Sequence, residues 1–147
     1  MKKYDLAITA HDLKKADVIK LVEKYRDGID QLSVVATMNT GLMIRHLTGL
    51  SVDLVENGAT GGYLQLARLV ADCDINMIVF LQDPISISLN ELGIRLLLQA
   101  CSVNNIPLAS NLITAEFVLH RYLETKMATV WRCPERLSLS ELACINN

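Results

Sequence analysis

Short apolar runs alternate with amphipathic stretches along the chain. YDLAITA (4–10) predicts a strand, and LKKADVIKLVEKYRDG (13–28) a helix closed by Gly28. In that helix Val18, Leu21, Val22 and Tyr25 share one face, opposite the lysines and acids. LSVVAT (32–37) predicts a second strand, Thr40 to Leu47 a short helix, and SVDLVEN (51–57) a third strand. Next comes ENGATGGYLQLARLV (56–70), a glycine-rich turn running into a helix that ends near Ala71. INMIVFLQ (75–82) is a continuous apolar run of the kind buried on both faces. A helix over 89–105, a short strand over 106–110 and a helix over 114–124 follow.

Strand–helix alternation at this spacing predicts an open, doubly wound α/β domain: a Rossmann-like parallel sheet with helices on both faces. Ligands of such folds sit outside the carboxyl ends of the strands, at a topological switch point. The residues just past each predicted strand are His11 and Asp12; Thr37, Asn39 and Thr40; Asn57 and Gly58; Asp83; and Ser110 and Asn111. Nearly all are polar, without the Lys/Glu mixture of an ordinary surface. The tail from Thr125 is set apart by its one tryptophan and a Pro-bounded break. It predicts an edge strand (ATVW) and a small helix carrying Leu137, Leu139, Leu142 and Ile145, packing on the same domain.

At 147 residues the chain is long enough for one domain with a real core, and 51% apolar against 20% charged residues suits a folded protein. A net charge of −2 argues against nucleic acid or an anionic membrane as the main partner. No run is long enough to span a bilayer, and the opening lacks the apolar core of a signal peptide. The four cysteines form no Cys-x-x-Cys pair and suit no metal site; Cys73 and Cys101 read as small buried thiols of a reduced, cytoplasmic protein. His46 and His120 fall in helices away from the strand ends and read as structural. Ser86 and Ser88 lack the setting of a nucleophile elbow.

The blocks ITAHDLKK, VVATMNTG, ENGATGGYLQ, VFLQDP and NIPLASNLITAEFVL resemble, in order and spacing, those of methylglyoxal synthase, over about residues 4 to 120. The same domain serves as a regulatory unit in the large chain of carbamoyl phosphate synthetase. The resemblance implies a Rossmann-like fold over 1–124 with an extension over 125–147. It also implies a homo-oligomer, a hexamer in the free-standing synthases. Those enzymes convert dihydroxyacetone phosphate to methylglyoxal and phosphate without metal or organic cofactor.

The family's phosphate-binding positions fall on Lys15, Thr37, Asn39, Thr40, Asn57 and Gly58, a cation with neutral donors, as phosphate requires. Met38 stands where the family has glycine; a positive φ there would strain it. The proton-handling positions differ more. The family's aspartate base falls on Tyr63, whose phenol, with a pKa near ~10, is protonated at neutral pH. Its histidine falls on Asn90 and a further aspartate on Gly93. Asp12, Asp83 and His11 remain, residues that in the family mainly order the site. The expected protein grasps phosphate or a phosphorylated small molecule and turns it over weakly or not at all. The rival is a lyase with Asp83 as substitute base, and a third reading is a structural subunit covering an active homologue. The Tyr63 ring either plugs the old pocket or stacks on a ligand.

Overall fold

The computed structural model describes residues 2–85 and 91–125. Asn90, Ser86, Ser88 and the tail beyond Thr125, with its predicted strand and helix, lie outside the described residues. The five strands β1 (Leu6–Ala10), β2 (Val34–Thr37), β3 (Asp53–Val55), β4 (Ile78–Leu81) and β5 (Leu108–Ala109) pair in the order β3-β2-β1-β4-β5, all parallel. The order reverses between β1 and β4, so the switch point lies where His11 follows one strand and Asp83 the other.

Among the described residues, α1 (Lys15–Lys24), α2 (Arg26–Ile29), α3 (Met38–Thr48), α4 (Gly62–Ala71) and α5 (Glu91–Asn104) link the strands, and α6 (Leu112–Thr125) follows β5. Alternate strand residues face opposite layers. Leu6, Ile8, Ala10, Val34, Ala36, Val79 and Leu81 pack beneath α1, α3 and α6. Ala7, Val35, Ile78 and Phe80 pack beneath α4 and α5. The β4 run is buried throughout, as its continuous apolar pattern predicts.

The first helix differs from expectation in two ways. It breaks at Tyr25, which leaves the helical region, and α2 restarts after it. Gly28 does not close a helix but lies inside α2, where an added Cβ would meet Leu123 Cδ1 at 2.6 Å; glycine here permits close approach to α6. α3 starts two residues earlier than predicted, so Asn39 and Thr40 belong to its first turn. Met38 opens that helix, and Cys73 and Asn105 are the only non-glycine residues of positive φ among the described residues. The strain feared at Met38 is therefore absent.

Cys101 is buried as expected, and desolvation pushes its thiol up to about 12. Cys73 is not a second buried thiol: it sits half-buried past the end of α4 and is disulfide-bonded. His46 is exposed on α3, and His120 is exposed beside Glu124 at 3.3 Å. Among the described residues, no helix is long and apolar enough to cross a membrane.

The amino-terminal end of the sheet is tied by a part-buried network. Tyr122 of α6 donates its hydroxyl to Asp5 Oδ1 at 2.7 Å and accepts from Asn76 Nδ2 at 3.0 Å, while Asp5 Oδ2 accepts the Ser33 N–H at 2.9 Å. Burial, reinforced by the Asp5 carboxylate, pushes the Tyr122 phenol well above its ordinary value. Tyr122→Phe removes both hydrogen bonds and is expected to cost about 2 kcal/mol in urea denaturation.

Candidate functional site

Every strand points its carboxyl end to one edge of the sheet, and the loops leaving β1, β2, β3 and β4 enclose a cavity of about 550 Å³ there. It is bordered by all six residues expected to hold phosphate, and also by His11, Asp12, Tyr63 and Asp83. Ser110 and Asn111 are not among its lining residues. Asn111 instead caps α6, its Oδ1 accepting the Thr114 N–H at 3.0 Å, and β5 ends apart from the site. Gly93 is buried within α5 and does not line the cavity either.

On the β2–β3 side the groups are hydrogen-bond donors. The first turn of α3 borders the cavity with Asn39 and Thr40, presenting the positive end of the helix dipole. Asn57 Oδ1 accepts the Asn39 N–H at 3.1 Å, which orients the amide and leaves its Nδ2 as the donor. Lys15, first residue of α1, holds its Nζ 2.6 Å from Asp12 Oδ1. That bond, and the charge behind it, lowers the Asp12 carboxyl below its usual value. Asp12 is almost fully exposed, so the pairing is a weak, solvent-screened one that an incoming anion can displace.

The glycine-rich turn behaves differently from a simple cradle. Gly58–Thr60 form a 3-10 turn, Gly61 takes φ +117°, and the Gly62 N–H is tied to the Asn57 carbonyl at 2.9 Å. The α4 start therefore uses that N–H to shape the loop, and its contribution to the cavity wall is the next residue, Tyr63.

Register explains where the Tyr63 ring goes. Phe80, Thr9 and Thr37 align across β4, β1 and β2 on the α4 face of the sheet. The tyrosine lies over this row, its ring 5.1 Å from that of Phe80, and only 6% of it is exposed. Gly58 accommodates it: a Cβ there would sit 2.4 Å from the ring. Burial raises the phenol above its ordinary value, and a bond from the Thr9 hydroxyl offsets part of that rise. The ring is packed into the core, yet the cavity beside it stays open.

Thr9 is an unexpected member of this site. Its hydroxyl lies 2.8 Å from that of Thr37, which donates to Thr40 Oγ1 at 3.3 Å, forming a buried hydroxyl row under the cavity. The signal in the sequence is a lone polar residue within an apolar strand. Leu13 and Ile85, both highly exposed, add an apolar margin on the β1–β4 side that strand-end polarity does not suggest.

At the switch point itself, His11 Nδ1 accepts the Asp83 N–H at 2.9 Å, and Asp83 Oδ1 accepts the Ile85 N–H at 3.1 Å. The His11 ring meets the edge of Phe80 at 5.4 Å. Among the described residues, no group of three or more His, Cys, Asp or Glu side chains is placed to hold a metal ion.

An open parallel sheet with a cavity across the reversal of strand order defines an α/β domain of the doubly wound class, the class whose ligands sit at such switch points. Relatives narrow the class. Methylglyoxal synthase of Thermus thermophilus is 37% identical over 114 residues, 78% of this chain and 90% of that protein. The Geobacillus enzyme of the same name is 36% identical, covering 78% and 81%. The crystal structure of methylglyoxal synthase from Elizabethkingia anophelis superposes with a TM-score of 0.71 at 32% identity, covering 80% of this chain and 77% of that one. An uncharacterized Synechocystis protein is 39% identical over 82% of this chain, which spans only 28% of that relative's length. No family model matches. The chain belongs to the methylglyoxal synthase family.

Proposed function

We propose that this protein binds inorganic phosphate or a phosphorylated small metabolite at the strand ends, with Lys15, Thr37, Asn39, Thr40, Asn57 and Gly58 as the phosphate group's partners. Catalysis is weak or absent. The observation that carries this reading is the tyrosine at position 63. Elimination of phosphate from a ketose phosphate needs a base to take a proton from carbon. A buried phenol whose pKa is raised is protonated throughout the physiological range. Its ring is moreover fixed against Phe80 and Gly58, so it is a wall rather than a proton carrier.

One observation favours the rival lyase: Asp83 borders the cavity beside His11. Incubation with dihydroxyacetone phosphate separates the two. Binding without turnover predicts no methylglyoxal above the uncatalysed background, whereas brisk formation abolished by Asp83→Asn establishes the lyase. In a thermal-shift series, phosphate at a hundred times its Kd should add about 2.7 kcal/mol of stability. Lys15→Ala should weaken binding roughly tenfold or more, since a charge-assisted hydrogen bond is worth about 1.5–3 kcal/mol. A homo-oligomer, as the family resemblance implies, fits the exposed apolar side chains of Leu92 on α5 and of Ile113 and Phe117 on α6.

A further inference from the structure

We propose that Thr9 is a positioning residue for the anion: from beneath the cavity its hydroxyl donates to Thr37, so that the protons of the hydroxyl row run one way, out of the core toward the phosphate oxygens. The inference rests on the phosphate reading above and deepens it. Thr9 is not among the residues that line the cavity, so it acts through its neighbours rather than on the ligand.

Proton counting sets the direction. A hydroxyl has one proton to give and lone pairs with which to receive. Thr37 donates to Thr40 Oγ1 at 3.3 Å, so its proton is spent, and in the 2.8 Å contact with Thr9 it is Thr9 that donates. Thr9 also meets the Tyr63 hydroxyl. That phenol keeps its proton at neutral pH, so it serves Thr9 as a donor and leaves the Thr9 proton to Thr37.

The far end of the row supports the same sense. In the helices, hydroxyls of this kind return their proton to the carbonyl four residues back: Thr48 to Ile44 at 2.6 Å, Ser102 to Leu98 at 3.1 Å and Thr125 to Arg121 at 2.8 Å. Thr40 stands in the first turn of α3, where the residue four back, Ala36, belongs to β2. Among the described residues no acceptor takes the Thr40 proton, and Thr40 borders the cavity.

The three threonines are buried, and a hydroxyl within a core strand is costly unless it is bonded. Valine would fill the Thr9 position with the same shape. What the hydroxyl adds is polarisation: chained hydrogen bonds in low-dielectric surroundings strengthen one another, so a donor at the foot of the row makes a better donor at its mouth. A lone threonine rotates freely between giving and receiving. One supplied from below is set to give before the anion arrives, and such preorganisation raises affinity.

Calorimetric titration of inorganic phosphate into the full chain and its variants tests this. Thr9→Val should weaken binding about fivefold, the scale of one net hydrogen bond, and Thr9→Ser should return it to within about twofold of wild type. In a Thr37→Val background, Thr9→Val should change affinity by less than about twofold, because the link it acts through is gone; beside Lys15→Ala its effect should persist in full. A merely structural threonine would give the same loss in both backgrounds. The opposite sense, with Thr37 donating to Thr9, predicts tighter binding in Thr9→Val, since the Thr37 proton would be released to the anion. Neutron diffraction from deuterated wild-type crystals reads the direction without any variant and should place the Thr9 deuteron on the line to Thr37 Oγ1. Unchanged or tighter binding by Thr9→Val, an undiminished loss in the Thr37→Val background, or a Thr37 deuteron aimed at Thr9 overturns the role of Thr9 while phosphate binding stands. Failure of the wild-type protein to bind phosphate overturns the phosphate reading, and this inference with it.

Discussion

Tyr63→Asp, the change that restores the acid the family resemblance places there, is expected to lose about 3 kcal/mol of stability and to yield no methylglyoxal. Stability falls because the ring is core. It is packed on Phe80, roofs Gly58 and leaves only 6% of its surface exposed. Removing a buried aromatic side chain typically costs about 3–5 kcal/mol, and the open cavity alongside lets water reach the new carboxylate, which keeps the loss near the lower end. The carboxylate would also fall beside the Thr9 hydroxyl, and the family resemblance puts its other proton-handling positions on Asn90 and Gly93, neither of which carries a proton. Catalytic groups that act as a unit do not return one at a time. Urea denaturation and a dihydroxyacetone phosphate assay check both halves. A variant as stable as the parent that forms methylglyoxal would show that one residue had silenced an otherwise intact enzyme.

Fold and site were legible in the sequence to different depths. The short, nearly continuous apolar runs LAITA, VVAT and IVFL, buried throughout and alternating with amphipathic stretches, are local signals, so the strands, their parallel pairing and the two packed faces follow from them. Strand ends in such a sheet share one edge, and this alone brings His11, Thr37, Asn57 and Asp83 together. Boundaries were less legible because tertiary contacts decide them. The role of Gly28 depends on Leu123 of α6, far away in sequence. The early start of α3 turned Asn39 from a loop residue into a helix-terminus residue and relieved Met38 of a strained backbone. The direction of the Tyr63 ring was out of reach for a similar reason. It depends on Phe80, Thr9 and Thr37 lying in one row, and that row is a matter of register across three strands. The partner of His11 is further still from the sequence, since only the placement of the Asp83 amide reveals which imidazole nitrogen accepts it.

Gly62→Ala is expected to cost about 3 kcal/mol and to abolish phosphate binding at the same time. A Cβ at this position would lie 2.0 Å from the Glu56 carbonyl oxygen and 2.9 Å from that of Asn57. Both obstacles are backbone, so no rotamer change relieves them; overpacking of this kind costs about 1–3 kcal/mol, and more where the neighbour cannot yield. The chain must move, and what moves is the turn that positions the site. The Asn57 carbonyl receives the Gly62 N–H at 2.9 Å and the Thr60 N–H at 3.0 Å, and the Asn57 side chain reaches across to the first turn of α3. Displacing that strand end therefore misplaces an amide donor, Gly58 and the Tyr63 ring packed over it in one step. Gly61, whose φ of +117° excludes most side chains, has nothing within 4 Å of an added Cβ and provides the contrast. Gly61→Asn should lose stability through backbone strain alone and retain more of its affinity for phosphate than Gly62→Ala. Paired urea melts and phosphate titrations of the two variants distinguish a loop that shapes the site from one that merely joins β3 to α4. Equal loss of affinity in both would favour the second.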